Sequence, residues 1–218
     1  MTDHDPDDDA ASEARIEGSG IAPATFEAAV RRIHDGGAVV YPTETVYGLG
    51  ADAVDPAAVE RVYGLKDRSR ADPVSLAVPS VAAATEYVAP TDRERRFMDR
   101  FLPGPVTVIL RRRPAVPDVL TAGRDRVGVR VPDDPVALAL LERAGRPLTA
   151  TSANRSGAGS ARRVDDVAAA VREASVVLDA GPTPGGESTV VDPSDGIVRA
   201  GRQADAVRQW LASNPDGS

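Results

Sequence analysis

The sequence predicts an α/β fold: a single domain in which a twisted mixed sheet is flanked by helices. Three observations lead there. Short apolar runs of strand length recur along the chain and stop at proline, glycine or charge, as in Ala38-Val39-Val40 and Val106-Thr-Val-Ile-Leu110. Between them lie segments with apolar residues three and four apart, opened by capping residues. The two kinds of segment mix without strict alternation, no internal repeat appears, and no linker is long enough to divide the 218 residues.

In order, residues 25–35 read as a helix with Phe26, Val30 and Ile33 on one face, ended by Gly36-Gly37. A strand at residues 38–40 runs into Tyr41-Pro-Thr-Glu-Thr-Val-Tyr-Gly-Leu-Gly50, read as a loop whose glycines permit angles that side chains forbid. Asp55-Pro56 starts a helix that turns Val59, Val62 and Tyr63 inward. Residues 73–78 form a strand, and Ser80 caps a short helix to residue 88. Thr91-Asp-Arg-Glu94 has capping-box spacing ahead of Phe97, Met98 and Phe101. Strands follow at 106–110 and 127–131, the second pointing Arg130 to one side, with Arg111-Arg112-Arg113 read as a solvated strand end. Asp133 or Asp134 opens a helix through Leu138, Leu141 and Ala144. A strand at 147–151 leads into the exit loop Ser152-Ala-Asn-Arg-Ser-Gly157. A helix at 165–174, short strands at 176–179, 188–192 and 196–199, and a helix at 203–212 close the chain.

Composition narrows the function. There is no cysteine, so disulfides and thiolate metal sites are excluded, and the two histidines, His4 and His34, form no ligand cluster. No apolar run approaches the roughly 18 residues of a membrane span. An acidic N-terminus is unlike a secretion signal, so a cytoplasmic protein without membrane contact is expected. Residues 1–20 hold seven acids against one arginine and so carry −6 of the chain's −7. That segment is expected to be a disordered acidic tail, residues 21–212 the folded domain, and residues 213–218 a disordered C-terminus. Of 26 basic residues, Lys66 alone is lysine.

The polar exits of several strands can meet at one rim: Thr43 and Thr45, Lys66 and Arg68, Arg130, then Ser152 and Asn154. Three cations among hydroxyls and amides make an anion site, because arginine grips carboxylate or phosphate through a fork and lysine acts as a point charge. The Gly-x-x-x-x-Gly-Lys-[Ser/Thr] and Gly-x-Gly-x-x-Gly phosphate motifs are absent, as is any Ser/His/Asp arrangement. The residues by themselves say that the chain binds an anionic small molecule, such as a nucleotide.

The combination of Pro42-Thr-Glu-Thr-Val-Tyr-Gly-Leu-Gly50, Lys66-x-Arg68 and Ser152-x-Asn154 resembles the YrdC family of threonylcarbamoyl-AMP synthases. Pro103-Gly-Pro-Val-Thr107, Val129-Arg130-Val-Pro132, Ser188-Thr-Val-Val-Asp192 and Val198-Arg-Ala-Gly201 fit in order and spacing, so the likeness covers roughly residues 25–201. It implies a twisted fold with a concave basic face and a nucleotidyl transfer: L-threonine, bicarbonate and ATP give threonylcarbamoyl-adenylate and pyrophosphate. The adenylate then goes to tRNA-modifying partner proteins acting at adenosine 37. By the same likeness, Lys66 and Arg68 are the catalytic pair at the phosphates. Ser152, Asn154, Ser160 and Arg199 complete the ATP site. Thr45, Arg130, Ala150 and Ser188 form the threonine site, with Arg130 on the carboxylate. Magnesium arrives with ATP, since no carboxylate cluster offers a protein-bound cage.

Against the family pattern, Ser69 and Asp72 stand for a proline and an asparagine, Ala77 for a histidine, Arg126 for a threonine and Gly159 for a proline. These changes bear on amino-acid selectivity. The chain reads as the short, single-domain form. Two other readings remain: a paralogue that binds double-stranded RNA, tRNA or a nucleotide without making the adenylate, and a carbamoyl-transfer accessory domain.

Overall fold

The computed structural model describes residues 16–154 and 159–215. The readings placed on residues 1–15 and 216–218 fall outside them. The described residues include 16–20 and 213–215 on either side of the expected domain. Ile16 packs beside the first helix, Ser19 N donates to Ile16 O at 3.0 Å, and the Asn214 amide donates to Trp210 O at 2.9 Å.

Helix starts follow the capping residues. Helix α1 (Pro23–His34) buries Phe26, Ala29, Val30 and Ile33 and stops before Gly36, whose φ is +72°. At α2 (Pro56–Lys66) the Asp55 carboxylate accepts from Ala57 N at 2.9 Å, with Pro56 at the first helical position. Ser80 caps α3 (Val81–Ala84), which is shorter than the expected run to residue 88. Residues 85–87 continue as hydrogen-bonded turns, and a bridge between Val88 and Arg112 ends them: Ala89 N donates to Arg111 O and Arg113 N to Tyr87 O. Helix α4 (Asp92–Phe101) carries the complete capping box, Thr91 with Glu94. A four-residue helix, α5 (Asp118–Thr121), had no periodicity to announce it. Asp134 caps α6 (Pro135–Ala144). The helix expected at 165–174 is instead a 3₁₀ turn, Val164–Asp166, followed by α7 (Ala169–Ala174). The last helix is α8 (Ala204–Ser213).

The strands are β1 (Ala38–Tyr41), β2 (Gly48–Gly50), β3 (Ser75–Ala77), β4 (Val106–Arg111), β5 (Arg126–Arg130), β6 (Leu148–Ser152), β7 (Ser175–Val177), β8 (Thr189–Asp192) and β9 (Gly196–Arg199). They form one nine-stranded sheet in the order β7-β1-β2-β6-β3-β5-β4-β8-β9. Pairs β1/β7, β3/β5 and β4/β8 are parallel and the rest antiparallel, so the sheet is mixed, as expected.

Gly48 and Gly50 correct the loop reading. They lie in β2, pairing with β1 on one side, while Gly48 and Leu49 pair with β6 on the other. Their absent side chains make room for Tyr41. A Cβ at Gly50 would sit 2.8 Å from Tyr41 Cε1, and one at Gly48 3.0 Å from Tyr41 Cζ. Close approach, rather than an unusual turn, is what these glycines provide.

Alternation along the strands divides the core. Val106, Val108, Leu110, Val127 and Val129 pack with α2, α4, α5 and α8 through Val59, Phe97, Leu120 and Val207. Val40 and Leu49 meet Val62 of α2 and Val171 of α7. On the opposite face Val39, Tyr41, Ala77 and Leu148 are covered by α1 and α6. That cover stops short of β4, β8 and β9. There the residues between the buried valines (Thr107, Ile109, Arg126, Gly128) face an open cleft.

Candidate functional site: a polar cleft on the open sheet face

The cleft has a volume of about 690 Å³. Its floor is low because its residues are small. A Cβ on Gly128 would lie 2.3 Å from Ser75 Oγ and 3.0 Å from Thr107 Cγ2, so the strands can approach only with hydrogen at that position. Thr45, Arg68, Arg130, Ala150, Ser152, Ser160, Ser188 and Arg199, all expected as site residues, line this one depression. Lys66 and Asn154 do not; both are buried beside it.

Arg68 leaves the end of α2 through Asp67, which holds a left-handed φ of 51°. Its Nε donates to Asp72 O at 3.1 Å and its Nη2 to Pro73 O at 3.0 Å. The guanidinium is therefore anchored by backbone before any ligand arrives. Lys66, the last residue of α2, turns inward. Its Nζ donates to the carbonyls of Ser152 and of Asn154, the latter at 2.6 Å. Burial pushes its pKa down to about 8, with the Arg68 charge adding to the effect. The ammonium thus braces the backbone from which Ser152 reaches the cleft.

Arg130 lies across the sheet from Ala77, its register partner on β3. Its Nη2 donates to Glu44 Oε1 at 2.8 Å and to Thr45 Oγ1 at 2.7 Å. Thr43 gives its hydroxyl hydrogen to Val46 O at 2.7 Å, so the 2.9 Å contact between Thr43 and Thr45 takes its hydrogen from Thr45. Arg130, Thr45, Thr43 and Val46 therefore form one directional chain. Both threonine donors are spent, so Thr45 offers a ligand only lone pairs. Tyr41 lies alongside, with its pKa pushed up to about 12 by burial, against the pull of Arg130 and with Glu44 and Asp134 adding to the rise. Burial also raises the pKa of Asp134, against the backbone N–H bonds of Ala137 and Val136, with the Glu44 charge contributing upward.

At the far wall Arg199 Nη2 donates to Ser188 O at 3.1 Å and Ser188 Oγ at 3.2 Å, and Ser188 meets Thr107 Oγ1 at 3.2 Å. Tyr47 faces away from the cleft, donating to Gly181 O at 2.7 Å. Of the arginine triplet, Arg112 and Arg113 are braces: Arg112 pairs with Asp118 and Arg113 donates to Val88 O.

Sequence reasoning gave no site role to Tyr41 or Thr107, and treated Arg126 only as a departure bearing on selectivity. Arg126 lines the cleft while its Nη2 contacts Glu94 at 3.1 Å and Asp192 at 2.9 Å. The signal for Arg126 and Gly128 was available: they alternate with Val127 and Val129 and so share the face of Arg130. Among the described residues no group of three or more His, Cys, Asp or Glu is placed to hold a metal ion. No helix among them is long and apolar enough to cross a membrane.

Residues 31–204 match the Sua5/YciO/YrdC family, described as telomere recombination. The chain belongs to this family. A family relative, the threonylcarbamoyl-AMP synthase of Bacillus subtilis (strain 168), is 41% identical over 167 residues, 73% of this chain and 47% of the relative. A putative threonylcarbamoyl-AMP synthase of Methanocaldococcus jannaschii is 36% identical over 152 residues, 69% of this chain and 71% of the relative. The crystal structure of Pyrococcus abyssi Sua5 complexed with L-threonine superposes with a TM-score of 0.75 at 36% identity, covering 81% of this chain and 54% of that one. The chain thus spans about half the length of the Bacillus and Pyrococcus proteins.

Proposed function

We propose that the cleft makes L-threonylcarbamoyl-adenylate and pyrophosphate from L-threonine, bicarbonate and ATP, for threonylcarbamoyl modification of adenosine 37 in tRNA. One observation carries this reading: of the arginines lining this single depression, Arg130 and Arg68 are anchored near the two ends of β3. Arg130 lies opposite Ala77 and Arg68 is tied to Pro73. Four residues of extended chain span roughly 13 Å. Cations anchored at the two ends of such a stretch suit an amino-acid carboxylate at one end and a polyphosphate at the other. The relatives named as synthases, and the threonine bound by the Pyrococcus protein, support the same assignment.

In this scheme Arg130 takes the threonine carboxylate, with Thr45, Ala150 and Ser188 around the amino acid. The amine and bicarbonate give N-carboxythreonine and water. The new carboxylate oxygen attacks the α-phosphorus of ATP, and pyrophosphate leaves. Such a transfer needs positioning and charge neutralisation more than covalent help. Arg68, Ser152, Ser160 and Arg199 supply positioning and charge directly. Lys66 supplies them by holding the backbone of Ser152 and Asn154. Magnesium belongs to the substrate as Mg-ATP. A catalytic domain over residues 21–212, a cytoplasmic place of action, and delivery to tRNA-modifying partner proteins or tRNA are parts of the same proposal.

The test is pyrophosphate release by the purified chain. Release that requires ATP, threonine and bicarbonate together, with the adenylate identified by mass, is the expected result. Release indifferent to threonine and bicarbonate would reject the synthase reading.

A further inference from the structure

Glu44 has no part in the scheme above, yet it stands against the residue that the scheme needs most. Its Oε1 accepts from Arg130 Nη2 at 2.8 Å, and both side chains are only 13% exposed. The pair is incompletely satisfied. Glu44 Oε2 and Arg130 Nε are buried and find no hydrogen-bond partner among the described residues. Leaving a buried polar atom unpaired is costly, so this arrangement is poised to change when a better partner arrives. There is room for change: Glu44 also borders a second cavity, with Asp133, Arg202 and Gln203, of about 560 Å³. Arg202 holds the Glu44 backbone carbonyl at 3.1 Å and leaves the side chain to Arg130.

We infer that Glu44 is a specificity-determining residue that makes the cleft select a zwitterionic amino acid over a plain carboxylate. The inference rests on the reading of Arg130 as the carboxylate-binding residue. A ligand carboxylate on Arg130 shares that guanidinium with Glu44, and Asp133 and Asp134 add negative charge nearby. An acid without an amine places like charges side by side where Glu44 and Arg130 are largely withdrawn from solvent. An amino acid brings its own ammonium, which compensates Glu44 while the carboxylate compensates Arg130. Selectivity then comes from a repulsive element as much as from an attractive one.

The test is calorimetric titration of the full chain and its Glu44→Gln variant with L-threonine and with (R)-3-hydroxybutanoate, which keeps the carboxylate and hydroxyl but lacks the amine. Wild type is expected to prefer threonine by about tenfold or more, and the variant to bring the two ligands within about threefold of each other. The gap closes from both sides: threonine weakens and the amine-less acid tightens. The ratio of two affinities in one sample is insensitive to the folded fraction, and Glu44→Ala must change it in the same direction. A variant that weakens both ligands equally, or changes neither, overturns this inference and leaves the amino-acid reading standing. Wild-type protein that binds neither ligand overturns both.

Discussion

Replacing Lys66 with methionine removes the ammonium and keeps most of the buried stem. Two hydrogen bonds to the carbonyls of Ser152 and Asn154 are lost. Charge-assisted bonds are each worth about 1.5–3 kcal/mol. The wild type, however, holds its charge where burial disfavours it. A pKa lowered from 10.5 to about 8 is a cost of about 3 kcal/mol at 1.36 kcal/mol per unit. At pH 7 the two effects partly offset, and the variant is expected to be less stable by about 0–3 kcal/mol. The pH dependence is the sharper reading. The folded chain releases this proton more readily than the unfolded chain, so wild-type stability rises as pH climbs from about 8 to 10.5. Methionine has nothing to release. The stability gap between the two proteins should therefore widen by about 2–3 kcal/mol between pH 7 and pH 10. Urea unfolding of both proteins at pH 7, 8.5 and 10, followed by circular dichroism, measures it, and the subtraction cancels every other titrating group. A gap that stays constant or narrows would refute the buried-cation argument.

Three further outcomes follow from named contacts. Arg130→Ala should weaken threonine by about ten- to a hundredfold, the loss of one charge-assisted contact, with a much smaller effect on ATP; calorimetry with each ligand separates the two. Gly128→Val should cost about 1–3 kcal/mol of stability and weaken every cleft ligand, because its Cβ meets Ser75 and Thr107; a thermal melt and an ATP titration read both effects. Thr91→Ala should lower stability by about 1 kcal/mol through loss of the capping box, with threonine affinity unchanged since α4 lies on the covered face.

What could be read from the sequence was local. Asp55, Thr91 and Asp134 cap the helices they were expected to cap, because a cap acts within three residues of its own position. Phe26, Val30 and Ile33 are buried together because helical spacing alone puts them on one stripe. What escaped depends on distant backbone. The three residues of β2 contain two glycines and are strand only because β1 and β6 pair with them. Residues 85–87 tighten into turns and Val88 leaves the helix for a bridge to Arg112, a partner far along the chain. Within the site, the gathering of Arg68, Arg130, Ser152, Ser160 and Arg199 was legible from motif order. The inward turn of Lys66 was not, since its partners are carbonyl oxygens, which leave no mark in a sequence. The pairing of Glu44 with Arg130 was hidden for a related reason: nothing local distinguishes a glutamate facing solvent from one facing an arginine far along the chain.

The two ties that shape the cleft, Lys66 to Ser152 and Arg130 to Glu44, each join residues 86 positions apart. During synthesis at roughly 5–20 residues per second, Lys66 waits about 4–17 s before Ser152 exists. Through that interval the first half of the sheet has β1 and β2 but lacks β6, the strand that sits beside β2. The site is therefore expected to assemble late and all at once, with no partial affinity along the way. Release of nascent chains of increasing length, each challenged with protease in the presence and absence of ATP and threonine, would show ligand protection appearing only once β6 has emerged. Protection in chains that end before residue 148 would contradict this order of events.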